Sequence, residues 1–497
     1  MLERVTRRAQ CGDSEIQALM KAGSESVAWV GNEFAGVDLG DKRLDRRLIK
    51  TAALLTKSPG SPINEACGTW AATRGAYRLF DNEKATPQAI QAPHIEETIQ
   101  RVAEVNGPVL AVMDTVFFSY GSHPKTKGLG PIGKSNSSHE RGLCMHNALA
   151  FTTSGVALGL LSQNIWARQD VPDEEYQEKI ERLQVTAIEE KESFKWLKAM
   201  REAREHVPLR SKLIMVADRE SDLWEFLTEA TQERTHFLIR ARVDRKLVPE
   251  ESECCESILE AIARAEVLGE MTVSIPSNGK RKARRAQVEV RVTEVTIKPP
   301  QRRGKAKESA SVEPVSVKVV AATERAAPVG EDAISWVLLT DLLVPDFAGA
   351  QEKVEWYGKR WGIEIWHRVL KSGCNVENCL LETAERLERY LALFSIIGVR
   401  LMHVTYLARE QPDIPATEAF SKEEVEALHL RVKRTLLPAE PPTLREAVRM
   451  LGSLGGHLGR KCDKEPGMTV IWRGWLRLYE FSLALDVCRE IGLINSS

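Results

Sequence analysis

The alternation of apolar and charged positions is most informative between residues 354 and 371. Apolar residues recur there at helical spacing, at Val354, Trp361, Ile365 and Val369. This spacing predicts an amphipathic helix whose apolar stripe packs on a core. Because each residue turns about 100° around the helix axis, a second stripe, within roughly 80° of arc, combines one carboxylate with a phenol and three cations. The members of this charged stripe are Tyr357, Arg360, Glu364, Arg368 and Lys371.

The charged stripe has two interpretations. Arginine, lysine and tyrosine side chains suit a phosphate backbone. Glu364 would repel phosphate unless a metal cation lay between them, so the stripe indicates metal-dependent chemistry on nucleic acid. The alternative from this helix alone is a solvated amphipathic helix with ion pairs along its surface.

Two short apolar runs predict buried strands that end at acidic residues. Val109–Met113 stops at Asp114, and Leu213–Ala217 stops at Asp218. With Glu364, three carboxylates would converge from two strand ends and one helix. Two divalent ions can activate a nucleophile and stabilise a leaving oxygen in phosphodiester chemistry. Such ions need hard oxygen ligands, which carboxylates supply, and Mg and Mn both suit an all-oxygen site.

The remaining pattern divides the chain into three regions. Residues 1–87 are predicted to be helical, and residues 88–410 to be mixed α/β. A β-rich insertion with basic loops is expected at about 243–342, before the Glu364 helix. Residues 411–497 are predicted to form a final helical domain.

A basic helix is predicted in the first region. Asp41 can cap it, and leucines and alanines recur on one side as far as Leu55. Arg43 and Arg47 would then project outward, together with Arg46 and Lys50. This face either contacts DNA or is an ordinary charged surface.

Composition narrows the class of protein. The chain has 497 residues, 28% of them charged, and a net charge of -1, so any DNA contact must come from local basic patches. Nine cysteines without zinc spacing predict reduced thiols in a cytosolic protein. The sequence has no run of 18 apolar residues, so we expect no membrane span.

Three motifs together resemble the DDE transposases of the insertion-sequence-four family, of the Tn5-like type. They are Asp114-Thr115, the run from Ala217 to Asp222, and Tyr-x2-Arg-x3-Glu-x6-Lys from Tyr357 to Lys371. The last motif is specific, and all four of its members match. Shorter matches extend over most of the chain, at Leu39–Arg43, Gly75–Arg78, Ser119–Tyr120, Arg141–Gly142, Trp166, Leu454–Gly456 and Trp472.

The resemblance implies a ribonuclease H-like α/β catalytic core with a β-rich insertion, flanked by helical N- and C-terminal domains. Asp114, Asp218 and Glu364 would bind two Mg ions, which Mn would replace. The enzyme would nick one strand at the transposon end, form and open a hairpin, and join the end to target DNA. It would act as a homodimer on double-stranded DNA, its N-terminal domain reading the end and its C-terminal helices dimerising. The expected location is the bacterial cytoplasm, associated with the nucleoid.

The resemblance also assigns DNA contacts. Trp336 would stack on a flipped base, although from the residues alone it is a core or strand-edge aromatic. Tyr357, Arg360 and Lys371 would hold nearby phosphates, and Arg240 and Arg368 would contact end DNA. Arg219 and Glu220 would shape the site, or form only a local ion pair.

Two positions depart from the family pattern. Val116 replaces a second threonine after Asp114-Thr115, and Leu143-Cys144 replaces an aromatic pair. Neither position belongs to the metal ligands, but both leave the preferred end sequence open. Two other functions stay possible at this level: another ribonuclease H-like nuclease, such as a junction resolvase or an RNase, and a domesticated or inactive transposase that only binds DNA.

Overall fold

The computed structural model describes most of the chain. The described residues are 26–133, 140–170, 176–207, 212–249, 255–275, 283–302, 304, 311–460 and 462–493. The helical prediction for residues 1–25 lies outside the described residues. Parts of the basic loops predicted in the β-rich insertion, at 276–282, 303 and 305–310, also lie outside them.

Helices form the N-terminal region, as the sequence predicts. They are α1 (Ser26–Glu33), α2 (Lys42–Lys57), α3 (Ile63–Cys67) and α4 (Trp70–Phe80), and α5 (Pro87–Glu104) begins where this region ends. Asp41 caps α2 by accepting a hydrogen bond from the Arg43 backbone N–H at 2.9 Å. The inward leucines of α2 are buried, including Leu48 and Leu55. The predicted start and apolar face of this basic helix are therefore confirmed.

Ten strands within the described residues form one sheet in the order β2-β3-β1-β5-β6-β10-β9-β8-β7, with β4 paired to β3. Their bounds are β1 Val109–Ser119, β2 Gly130–Pro131, β3 Arg141–Thr152, β4 Ala157–Trp166, β5 Leu213–Ala217, β6 His236–Arg240, β7 Val267–Ile275, β8 Arg284–Ile297, β9 Val315–Glu324 and β10 Ser335–Thr340. The strands β1, β5 and β6 are parallel neighbours, and the other pairs are antiparallel. The β-rich insertion predicted before the Glu364 helix contains strands β7 to β10, which extend the central sheet.

The helices of the middle region lie between strands in sequence, except for the last two, which follow β10. They are α6 (Tyr176–Val185), α7 (Phe194–His206), α8 (Trp224–Gln232), α9 (Ile258–Arg264), α10 (Phe347–Lys359) and α11 (Trp361–Arg368). Short 3-10 turns at Ile188–Glu190 and Arg219–Ser221 precede α7 and α8. These helices supply the side chains that cover the sheet.

The C-terminal region is helical, as predicted. It contains α12 (Ala384–Glu410), α13 (Lys422–Lys433), α14 (Leu444–Leu454) and α15 (Met468–Glu490). By length and composition α12 could cross a membrane, and among the described residues it alone passes that test. However, 83% of its most apolar window is buried inside the protein, which is typical of a core helix.

The side chains of β1 alternate between two packed faces of the sheet. Val112 packs in the same cluster as Trp366 of α11, and we name this side the α11 face. Met113 packs with Trp196 of α7, and we name the other side the α7 face. By this alternation Asp114 belongs to the α11 face, where Glu364 also lies.

Candidate active site

Asp114 lies within β1 and not at its end, so the predicted end of that strand is wrong. The strand continues to Ser119 because it keeps pairing with β3, where Asp114 lies opposite Asn147. Its parallel neighbour β5 pairs only as far as Val112. Asp114 therefore lies just beyond the paired part of β5, and one carboxylate oxygen accepts a hydrogen bond from the Thr115 backbone N–H at 2.9 Å.

Asp218 lies where the sequence predicts it, directly after β5. Its carboxylate caps the 3-10 turn Arg219–Ser221 by accepting a hydrogen bond from the Glu220 backbone N–H at 2.9 Å. Because β1 and β5 are parallel neighbours, both aspartates lie towards the carboxyl ends of the strands, where α/β sheets place their binding sites.

The predicted continuous helix through Tyr357 and Lys371 is interrupted. Helix α10 ends at Lys359, and a tightened turn follows in which the Arg360 N–H donates to the Tyr357 carbonyl at 3.0 Å. Glycines at 358 and 362 flank this turn and weaken a regular helix. A π-helical turn, Val369–Gly373, then follows α11 and contains Lys371. Such turns are frequent at functional sites.

The interruption changes which residues are buried. Val354 and Val369 are buried as predicted, but Trp361 and Ile365 are only half-buried. Trp366 is instead fully enclosed against the core. The charged stripe is also altered, since Tyr357 is buried and not on a solvated surface.

Arg360 connects two of the three carboxylates. Its Nη2 lies 2.5 Å from Glu364 Oε1, and its Nη1 lies 3.7 Å from Asp114 Oδ2. Burial disfavours the charge on Arg360, but Tyr357, Asp114 and Glu364 outweigh it and hold the Arg360 pKa above its ordinary value. The guanidinium therefore partly neutralises the acidic centre.

The three carboxylates influence one another electrostatically. Burial first, and then the charges of Asp218 and Glu364, raise the pKa of Asp114 to about 7, against the opposing effect of Arg360. In the described part of the chain, no three acidic, histidine or cysteine side chains are already close enough to enclose a metal ion. The three carboxylates nevertheless suit a hard divalent cation. Their negative charges repel one another, and a cation bound between them would offset that repulsion.

The raised Asp114 pKa predicts that Asp114→Asn stabilises the metal-free protein at high pH. The folded pKa exceeds the unfolded one, so the protonated carboxyl is favoured in the fold, and this stabilisation is lost as pH rises through about 7. Asparagine imitates the protonated form at every pH. In EDTA at pH 8, we expect a gain of at most about 4 kcal/mol, from about three pKa units at 1.36 kcal/mol each.

Thermal unfolding in EDTA checks this at pH 8 and at pH 5.5, where the gain should shrink. Asp332→Asn is a suitable control, because that aspartate is exposed. A metal-free Asp114→Asn protein that is less stable than wild type at pH 8 would contradict the expectation.

Several predicted DNA contacts lie together on the α11 face. The Trp336 ring meets the Tyr357 ring edge to face, with centroids 5.1 Å apart. Arg240 donates from Nη2 to the Ser335 carbonyl at 2.7 Å. Burial raises the Tyr357 pKa and lowers the Arg240 pKa, and the two side chains also interact with each other. This group lies beside the Arg360 turn.

The other predicted contacts are more dispersed. Arg368 is exposed at the end of α11. Lys371 pairs with Glu377 at 3.2 Å and lies 5.6 Å from the centre of the Phe118 ring. Arg43 and Arg47 lie on α2 of the N-terminal region, outside the carboxylate centre.

Two buried histidines, one beside Asp114 and one beside Thr115, are absent from the predicted site. His367 Nδ1 lies 4.0 Å from Asp114 Oδ2, and His367 Nε2 lies 3.4 Å from Asn147 Nδ2. Burial, with the nearby cations, lowers the His367 pKa to about 3, so this ring is neutral. His146 Nδ1 is hydrogen bonded to Thr115 Oγ1 at 2.9 Å. The sequence did contain one signal for His367. This residue follows Glu364 by three positions, so the two lie on the same side of a helix.

Comparison with known families agrees with this geometry. Three family models match in order along the chain: "Transposase DNA-binding" over residues 26–85, "Transposase DDE domain" over 178–397, and "Transposase Tn5 dimerisation domain" over 396–490. The DDE match contains Asp218 and Glu364 and begins after Asp114. The chain belongs to the DDE transposases.

Within that class it is a Tn5-like transposase, with DNA-binding, catalytic and dimerisation domains of a cut-and-paste enzyme. The predictions of family, of enzyme class and of a ribonuclease H-like fold with helical flanks are therefore confirmed. The DDE domain implies dependence on a divalent metal, and the other two domains imply DNA and a second copy of the chain as partners. Such an enzyme works inside the cell, on DNA. The alternative of an unrelated ribonuclease H-like nuclease is wrong.

Proposed function

We propose that Asp114, Asp218 and Glu364 are the catalytic carboxylates of this transposase and hold two Mg ions, which Mn can replace. The supporting observation is the coupling of the three groups, since Asp218 and Glu364 both raise the Asp114 pKa. Bound divalent ions supply an activated oxygen nucleophile and stabilise the leaving 3′-oxygen. In this proposal the sheet carries the two aspartates and α11 carries the glutamate.

The surrounding side chains hold the DNA in our proposal. Arg360 and Tyr357 bind phosphates beside the scissile bond, and Lys371 binds a further phosphate from the π-helical turn. A planar guanidinium binds phosphate oxygens through paired N–H donors, which suits Arg360 to this role. Arg240 and Arg368 contact the transposon end. The buried, neutral His367 keeps solvent from one side of Asp114.

The reaction sequence that we propose is nicking, hairpin formation, hairpin opening and strand transfer. A hairpin bends the DNA tightly, and an extruded base relieves that bend. Trp336 is half-buried at the edge of the α11 face and lies against Tyr357, so its ring is supported from one side. We assign it to stacking on the extruded base.

Trp336→Ala should leave the first nick intact and lower hairpin formation. Stacking of a base on an aromatic ring is worth about 1–3 kcal/mol, so the loss should be roughly 5-fold to 150-fold. Trp336→Phe should restore part of it, because phenylalanine retains an aromatic face. Denaturing gels of a labelled end duplex measure both products, and an equal loss of nicking and hairpin would indicate a packing role instead.

The flanking regions have separate roles in the proposal. Residues 1–87 form a DNA-binding domain that reads the transposon end, with Arg43 and Arg47 of α2 in contact with it. Residues 88–410 form the catalytic domain, with its β insertion at about 243–342. Residues 411–497 pair two copies in the complex that holds both ends. Inside a bacterial cell we expect this protein on the nucleoid.

A metal-dependence experiment tests the proposed function. Purified full-length protein is incubated with an end duplex, uncut or precut, in Mg, in Mn and in EDTA. Nicking followed by a hairpin in Mg or Mn, and no product in EDTA, is the expected result. End binding without cleavage in any metal would identify an inactive, DNA-binding transposase.

A further inference from the structure

A basic groove opens on the α7 face of the sheet, beside the carboxyl end of β5. Its volume is about 1080 Å³, larger than the roughly 300–1,000 Å³ of a small-molecule pocket. Phe117 of β1 and Trp196 of α7 line it. Its charged lining residues are Arg168, Lys191, Lys195, Arg242 and Arg302, opposed by Glu192 and Glu220. The lining is therefore strongly cationic, in a chain whose net charge is only -1.

Three of the five cations are matched by carboxylates. Arg168 donates two hydrogen bonds to Glu192, at 2.9 and 2.7 Å, and is stacked on the Phe117 ring at 4.7 Å. Lys195 lies 3.4 Å from the same glutamate. Arg302 pairs at 2.8 Å with a glutamate of α8, Glu225. These ion pairs fix the side chains of the groove wall and neutralise its carboxylates.

Two cations remain without a carboxylate partner among the described residues. The Lys191 and Arg242 side chains have no ion pair there, and Arg242 is exposed. Burial, and then the charge of Arg302, lower the Lys191 pKa, against the opposing effect of Glu225, which is already paired with Arg302. The Arg302 Nε is also buried without a hydrogen-bond partner in the described part of the chain. An anion entering the groove would satisfy all three groups.

The groove lies near the carboxylate centre in the chain, on the opposite face of the sheet. Phe117 follows Asp114 by three residues on β1, so its side chain points to the other side of the sheet. Glu220, at the rim, is two residues beyond Asp218. The Trp336 and Tyr357 side chains lie on the α11 face. Two DNA-facing surfaces therefore meet where the parallel strands end.

We propose that the basic groove binds the phosphate backbone of target DNA during strand transfer. The inference rests on the proposed function, in which the three carboxylates are catalytic and the α11 face holds the transposon end. Strand transfer needs a second duplex at the same centre, because the 3′-hydroxyl of the end forms a new phosphodiester as one target phosphodiester breaks. The groove is a site for a polyanion on the α7 face, whereas the transposon end lies on the α11 face in the proposed function. A polyanion binds such a site by releasing counterions.

The test separates target capture from cleavage of the end. Lys191→Glu, Arg242→Glu and the double variant are prepared as full-length proteins and loaded with precut transposon ends. Transfer into a supercoiled plasmid is measured against plasmid and salt concentration. We expect the double variant to need about tenfold more plasmid for half-maximal transfer, with a shallower salt dependence than wild type. End binding and nicking of uncut ends should be unchanged.

Lys212→Glu is the matched control, because Lys212 precedes β5 at the opposite end of the strand that leads to Asp218. It should transfer like wild type. Unchanged transfer in both groove variants would overturn the proposal. If the variants no longer bind transposon ends, the groove binds the transposon end instead. If they fail to nick uncut ends but transfer precut ends normally, the groove binds the flanking donor DNA instead. The arms use separate substrates. Failure of the catalytic assignment would remove the products of every arm, whereas failure of the groove proposal would leave transfer unchanged, so the two failures are distinguishable.

Discussion

Glu364→Gln should retain binding to the transposon end and lose strand cleavage by about 10³-fold or more. Stabilisation of the reacting oxygens by a metal is worth several kcal/mol, and each 1.36 kcal/mol is tenfold in rate. Glutamine keeps the size of the side chain and removes the negative charge that a cation needs. Single-turnover nicking of an end duplex, with gel-shift binding measured in parallel, gives both quantities.

Glu355→Gln is the matched control for this variant. Glu355 is exposed on α10, nine residues before Glu364, and bonds only to Gln351 among the described contacts. It should cleave normally. A Glu364→Gln protein that nicks at wild-type rate would remove this residue from the catalytic carboxylates.

Asp222→Asn should lower the free energy of unfolding by about 3–5 kcal/mol, the cost of breaking a buried ion pair on one side. The Asp222 side chain is fully buried and lies 2.6 Å from Arg245. It also accepts hydrogen bonds from the backbone N–H groups of Arg242 and Val243. The change leaves the Arg245 charge without its carboxylate and loosens the segment after β6. Denaturant unfolding of the metal-free protein measures the loss.

Two further variants define the origin of that loss. Glu256→Gln breaks the exposed Lys246–Glu256 pair of the same segment, 3.4 Å long, and should cost no more than about 1 kcal/mol. Adding Arg245→Met to Asp222→Asn should recover part of the stability, because the uncompensated charge is gone. An Asp222→Asn protein as stable as the Glu256→Gln control would contradict a structural role for the pair.

The sequence predicted the strand end before Asp218 correctly and the strand end before Asp114 incorrectly, for a physical reason. An apolar run that ends in a turn marks a strand end, and β5 does end before Asp218. After Asp114 the chain continues with Thr115, Val116 and Phe117, which favour strand structure, and β3 provides their partners. A charged residue within a strand was therefore mistaken for its end.

The helix that carries Glu364 shows the same limit. Its existence and its charged residues could be predicted from spacing, but the turn at Arg360 and the π-helical turn at Lys371 depend on tertiary packing. A side chain at Gly362, for example, would meet the Phe151 ring at 2.9 Å. The contact between His146 and Thr115, the neighbour of Asp114, was missed because β3, on which His146 lies, is distant from β1 in sequence. Helical spacing cannot indicate such a contact.

The continuation of the central sheet through β10 has a mechanical consequence. Strand β10 pairs with β6 at Leu338 and Arg240, and β6 pairs with β5 up to Ala217. Two ladder steps of about 4.8 Å thus fix the separation between the strand of Trp336 and the strand that leads to Asp218. The sheet therefore sets the distance between the proposed base-stacking residue and the proposed catalytic carboxylates. Because this distance does not depend on the segments that join β7, β8 and β9, we expect changes of length or charge in those segments to leave it unchanged.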